Sequence, residues 1–345
     1  MSSNVQQLVS SVLGAERAVW LFNAMEVEAR LLGSSDNVTR AELAQAMNMA
    51  LFSDLLKRVP EGAQYVDEAI RIGRKINFDH GALRTVVANP VYGNMGALPV
   101  GHLAFDRILK PLGFVIGGLY PLPRLKMTGH VYTHSELPAD IAQFFVSELH
   151  VDQFSPAFQQ AVANVVGNSR DPLMADSKAL LGKLSEQKAL TMAEALKLLP
   201  NIVECFARQH GEVTRADYDV LLKESAEMAW ISTEGNAYNH VTDRVSDVFE
   251  LTKEQKALGR SIKEAVEVSA NGRVRQTAFK AAQVERRMVD ADGRVATYTV
   301  PGSFYEFISR DKYLDEVSGE WKLDLTFDSS NATGIFKMTD AAKVA

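Results

Sequence analysis

The stretch Asn77-Phe78-Asp79-His80-Gly81-Ala82-Leu83-Arg84-Thr85, continued through Val86 and Val87, is a β-branched, apolar run that constrains the chain more than any other segment. As a strand it sends alternate side chains to opposite faces, so His80, Ala82 and Arg84 share one face while Gly81 and Leu83 take the other. Two polar heads then look into one cavity. At roughly 3.3 Å per residue their Cα atoms stand about 13 Å apart, room for a small molecule held by an imidazole at one end and a guanidinium at the other. A histidine and an arginine on a strand are equally at home at a sheet edge, so the segment nominates a site without assigning it.

Composition narrows what such a cavity can serve. With 345 residues, 46% hydrophobic and 23% charged, the chain suffices for one large domain or two modest ones. The net charge of -6 is spread through mixed acidic and basic residues. No basic stripe points to nucleic acid and no polybasic segment to a membrane, which leaves a small-molecule partner. The single cysteine, Cys205, excludes an internal disulfide. The N-terminus lacks the order of a signal peptide, and no apolar run reaches the roughly 20 residues of a bilayer span, so a cytoplasmic protein is expected.

Residues 4–32 carry helical spacing at Val5, Leu8, Val12, Val19 and Phe22, and Thr39 with Glu42 forms a capping box for a helix running to Arg58, before Pro60. A short helix is expected over Leu103–Leu109. Met127–His134 reads as a strand that puts His130 and His134 on one face, a conceivable metal pair that lacks the zincin glutamate. From 137 to 228 the pattern is helical throughout: Pro138 opens a helix carrying Ile141, Phe144, Phe145 and Leu149, and Ser155-Pro156, Thr191 with Glu194, and Thr214 with Asp217 mark later starts. Ala229-Trp230-Ile231 is strand-like, and Glu234–His240 delivers a histidine at a strand–loop junction, where ligands commonly originate. Thereafter strands dominate. Asp290-Ala291-Asp292-Gly293 is a hairpin turn, Gln283, Glu285 and Arg287 share one face of the arm before it, and Ser303–Ile308 and Trp321–Phe327 are further strands. Glu285 reads either as part of a surface ion pair or, turned inward beside two histidines, as a metal carboxylate.

The segments FDHGALRTVV, GHVYTHSELPADIAQFFVSELH, FSPAFQQAVANVVGNSRDPL, NAYNHVTDR, QVERR and FDSSNATGIFK together resemble the 2-oxoadipate dioxygenase/decarboxylase (hydroxyglutarate synthase) family, in the family's order and from about residue 75 to the C-terminus. That resemblance implies an α+β fold of vicinal-oxygen-chelate (glyoxalase) type, a curved mixed or antiparallel sheet of paired βαβββ units around one metal, covered by a large helical layer. It further implies one catalytic domain over 1–345, with an N-terminal helical part (1–75), a sheet and metal core (76–136 and 229–345) and a helical insert (137–228). His80 and His240 match the family's metal histidines, Glu285 its metal carboxylate, and Arg84 the arginine that receives a substrate carboxylate.

Two histidines and a carboxylate suit non-haem Fe(II), because part of the coordination sphere stays open for substrate and O₂; other divalent ions fit the same ligands. The resemblance implies conversion of 2-oxoadipate, or a similar 2-oxo dicarboxylic acid, with O₂ to 2-hydroxyglutarate and CO₂, the lysine-catabolic reaction of the family. Arg84 would grip the distal carboxylate by two parallel charge-assisted bonds. The alternatives are a glyoxalase-like isomerase or hydrolase using the metal as a Lewis acid, and a non-catalytic metal- and dicarboxylate-binding protein.

Overall fold

The computed structural model describes residues 2–327, so the segment FDSSNATGIFK beyond its first residue lies outside the described residues. The His80 run is the strand Phe78–Val87, almost wholly buried, at the middle of an eight-stranded mixed sheet. Across the sheet the strands run Phe114–Leu122, Met127–His134, Gln143–His150, Phe78–Val87, Tyr238–Arg244, Phe304–Arg310, Val274–Ala278 and Glu267–Val268.

This order contains a pseudo-twofold. In each half the first strand in sequence pairs in parallel with the fourth: Phe78–Val87 with Gln143–His150, and Tyr238–Arg244 with Phe304–Arg310. The two first strands meet antiparallel at the centre, with Gly81 opposite Val241. His80 and His240 therefore occupy equivalent positions, one residue before that central pair. One residue after it, Thr242 stands beside Glu306 in one half and Ala82 beside Phe145 in the other. Gly81 is required here, since a Cβ would run into the Tyr238 ring.

Helices cover the convex face of this curled sheet. Thr39 and Glu42 satisfy each other's backbone amides and start the helix Arg40–Arg58, and Pro60 opens the next, Pro60–Arg71. Phe52 packs on Phe78 and Tyr305, and Tyr65 on Tyr305 and Phe307, locking those helices to the outward side chains of the central strands. The expected helix over 4–32 is two, Asn4–Leu13 and Ala15–Ala24, because Gly14 turns the chain at a φ of +85°. No helix among the described residues is long and apolar enough to cross a membrane.

Two segments depart from the sequence reading. Gln143–His150 is a strand, so the sheet extends into the proposed helical insert, whose helices begin at Pro156. It is an inner strand with residues buried on both faces, Phe144 against Phe114 and Phe206 on one and Phe145 against Phe327 on the other, which erases the period-two signal and leaves Ile141, Phe144, Phe145 and Leu149 at a spacing that mimics a helix. Conversely, Ala229-Trp230-Ile231 lies in the helix Ala226–Glu234, capped by Ser225, whose hydroxyl accepts from the Met228 amide. That helix is buried on nearly every side, so it displays no polar stripe.

Candidate metal centre

His80, His240 and Glu306 converge on the concave face from three adjacent strands, all buried. His80 Nε2 lies 3.6 Å from Glu306 Oε1, and His240 Nε2 lies 3.9 Å from Glu306 Oε2. Donors sharing one ion at about 2.0–2.2 Å stand about 3–3.5 Å apart, so little adjustment would bring these three onto one cation. The imidazoles meet edge to face with ring centroids 5.6 Å apart.

Neighbouring groups fix which nitrogen faces inward. His80 Nδ1 donates to Asp79 Oδ1 at 2.8 Å, leaving the Nε2 lone pair on the side of Glu306. Asp79 is itself clamped by the Arg310 guanidinium at 2.9 Å and by Arg244 Nε at 2.8 Å. Burial alone would raise its carboxyl pKa, but Arg310, the His80 hydrogen bond and Arg244 outweigh it and hold Asp79 ionised. Asn239, at the position equivalent to Asp79, places its Oδ1 3.2 Å from His240 Nδ1. Thr242 Oγ1 sits 3.1 Å from His80 Nε2 and donates to Glu306 Oε1 at 3.1 Å.

The electrostatics fit a cation. Burial lowers the pKa of His80, and burial, reinforced by His80 and Arg84, lowers that of His240 further, so both rings are neutral ligands at pH 7. Burial pushes the Glu306 carboxyl up to about 8, and its Oε2 is buried with no hydrogen-bond partner. A carboxylate held this deep is compensated when a divalent ion takes the free oxygen.

Arg84 lies on the concave face of the His80 strand, 1% exposed, with its guanidinium 5.1 Å from the centroid of the Trp230 ring. Burial lowers its pKa to about 10 against the attraction of Glu227, and the group remains a cation. Phe327 packs edge-on against His80 at 4.8 Å and against Phe145 at 5.2 Å, placing aromatic surface beside the histidine.

Glu285 is not brought to the histidines. It lies on the strand Gln283–Val289, which pairs with Val295–Pro301 in a two-stranded sheet separate from the eight-stranded one. Alternation turns Gln283, Glu285 and Arg287 to solvent, while Arg286 reaches back to Glu234. Glu306 takes the place proposed for Glu285. Its sequence signal was a lone acid in the otherwise apolar run Phe304-Tyr305-Glu306-Phe307-Ile308, where a fully buried carboxylate needs a partner. His130 and His134 face the opposite side of the sheet, and His134 is committed to backbone, with Nε2 3.1 Å from the Leu112 carbonyl and Nδ1 accepting the amides of Glu136 and Leu137.

A curled sheet of two equivalent halves with His, His and Glu at their seam defines an α+β protein of the glyoxalase-like class with a candidate metal centre. The family model described as 2-oxoadipate dioxygenase/decarboxylase matches residues 41–320, and the chain belongs to that family of enzymes. It is 25% identical over 297 residues to the rice (Oryza sativa subsp. japonica) protein named 2-oxoadipate dioxygenase/decarboxylase, chloroplastic/amyloplastic, covering 77% of this chain and 70% of that one. A Ralstonia eutropha JMP134 protein described as glyoxalase-superfamily has a crystal structure that superposes with a TM-score of 0.88 at 50% identity, covering 94% of this chain and 98% of that one. The hydroxyglutarate synthase from Oryza sativa, solved in complex with 2-oxoadipate, shares the fold at a TM-score of 0.64 and 18% identity, covering 93% and 96% of the two chains.

Proposed function

We propose that this chain converts 2-oxoadipate and O₂ to 2-hydroxyglutarate and CO₂, with Fe(II) held by His80, His240 and Glu306. The observation that carries this reading is the meeting of three buried donors, one a carboxylate with an unpartnered oxygen, on the face of the sheet that also bears Arg84. Fe(II), when bound, supplies an open coordination sphere and the redox chemistry that couples loss of the 2-oxo acid's carboxyl group to reduction of O₂.

The protein's own groups do the rest. Asp79 and Asn239 fix the tautomers of the two histidines, so that both present Nε2 to the cavity. Glu306 contributes the negative charge that favours a divalent over a monovalent ion. Arg84, about 13 Å along the strand from His80 at Cα, receives the distal carboxylate of the substrate and sets its length and direction. Trp230 stacks near its guanidinium and restricts its swing. Phe145, Phe304 and Phe327 line the histidine side with apolar surface, which keeps bulk water from the reacting end.

The test is anaerobic reconstitution with Fe(II), addition of 2-oxoadipate, and an oxygen pulse with O₂ uptake, CO₂ release and organic product recorded together. One O₂ consumed and one CO₂ released per 2-hydroxyglutarate is the expected result. Tight 2-oxoadipate binding without oxygen uptake would overturn the reaction while keeping the pocket.

A further inference from the structure

The other face of the same sheet carries a second set of donors. In the first half of the sheet Val131 and Phe145 stand side by side on the concave face, so the next residues in register, His130 and Val146, point to the convex face. Glu148, opposite Thr128 and beside Thr85, points the same way. His102 joins them from the residue preceding the helix Leu103–Leu109, which covers this face.

The three residues are tightly gathered. His102 Nδ1 lies 2.8 Å from Glu148 Oε2, and His130 Nε2 lies 3.1 Å from Glu148 Oε1. One donor atom from each lies within 4.8 Å of the other two. The backbone is shaped to the carboxylate: the His102 amide donates to Glu148 Oε2 at 3.0 Å, and Gly101, at a φ of +54°, passes so close that a Cβ there would collide with it.

His130 is the observation that protein contacts alone leave unexplained. It is 7% exposed, and neither ring nitrogen has a hydrogen-bond partner. Its Nε2 stands 3.1 Å from Glu148 Oε1, so the ring is aimed at the carboxylate while its Nδ1 is buried without a partner. Two adjacent Lewis bases, one buried, are what a shared cation would reconcile.

We propose that His102, His130 and Glu148 form a second divalent-cation site, separate from the His80–His240–Glu306 centre and selective for a borderline d-block ion such as Zn(II), Co(II) or Ni(II). Two imidazoles and one carboxylate are the donor set that prefers these ions over Mg(II) or Ca(II), which favour oxygen. The two rings stack at 3.8 Å with an interplanar angle of 16°. An ion cannot lie in both planes of a parallel stack, so binding turns the part-exposed His102 ring out of it, while His130 and Glu148 stay fixed by their strands. The bound ion ties the entry of the helix Leu103–Leu109 to two sheet strands and leaves a fourth position for water.

Equilibrium dialysis of the metal-stripped full chain against Zn(II), followed by metal analysis, tests this directly. Wild type is expected to hold two Zn(II) per chain, and the His80→Ala/His240→Ala double variant one. Adding His102→Ala or Glu148→Gln to that double variant should weaken the remaining site at least 100-fold and abolish the visible d–d absorption of its Co(II) form. His102→Ala alters a part-exposed side chain, and circular dichroism checks that each variant is folded. A folded double variant that binds no Zn(II), or one whose Zn(II) is indifferent to both His102→Ala and Glu148→Gln, would overturn the proposal, and neither outcome bears on the His80 centre.

Discussion

Glu306→Gln should act in opposite directions on stability and on metal binding. In the unfolded chain this carboxyl ionises near its ordinary 4.5, whereas in the folded, metal-free protein burial raises its pKa to about 8. Between those values the folded state holds a proton that the unfolded state has released, so stability falls as pH rises from 4.5 to 8 and is level above that. At pH 7 the difference costs folding about 3 kcal/mol, each tenfold in proton affinity being worth about 1.4 kcal/mol. Glutamine removes the ionisation and keeps the shape. The metal-free Glu306→Gln protein should therefore be more stable than wild type by about 3 kcal/mol in urea unfolding at pH 7, and the gain should vanish near pH 4. The same change removes the anionic ligand, so iron retention after desalting should be lost together with turnover. Glu285→Gln is the control: its side chain faces solvent, so stability should move by less than about 0.5 kcal/mol and iron should stay. Iron retained by Glu306→Gln, or lost from Glu285→Gln, would refute the ligand set. A metal-free Glu306→Gln protein no more stable than wild type would refute the burial account.

Arg84→Lys should keep the metal and raise KM for 2-oxoadipate by about 10- to 100-fold, because a lysine cannot make the paired contacts of a guanidinium; an unchanged KM would remove Arg84 from substrate binding. His134 supplies a pH test independent of the centre. Burial lowers its pKa from the ordinary 6.5 to about 4, and its Nδ1, which accepts two backbone amides, cannot take a proton without losing both. As pH falls from 6.5 to 4 the unfolded chain gains a proton that the folded one refuses, so up to about 3 kcal/mol of stability is lost across that window. Its C2–H resonance should titrate near 4, and titration near 6.5 would contradict the geometry.

The parts of this molecule written into local chemistry were legible in the sequence. The His80 strand, the capping box at Thr39 and Glu42, the Asp290–Gly293 hairpin and the helix at Leu103 each follow from a few adjacent residues. What was illegible depends on surroundings. The Gln143–His150 strand is buried on both faces, and the Trp230 helix nearly all round, so neither displays the polar half that reveals its period. The site divided along the same line. His80 and His240 were readable at a strand and a strand–loop junction, but Glu285 and Glu306 are both single acids in strands. Only the sheet order puts one on an isolated hairpin and the other beside Thr242.

The twofold relation of the sheet halves gives the open side of the centre a simple origin. Each half contributes a histidine at the same place, but at the next equivalent place one half offers Glu306 and the other Phe145. Had the symmetry been kept, four protein donors would encircle the ion and saturate most of its sphere. A single departure from likeness, an aromatic ring where its counterpart is an acid, would leave one side of a bound ion without a protein donor. On the proposed reading, reactivity would rest on a broken repeat: one half-sheet supplies the charge, and the other withholds it.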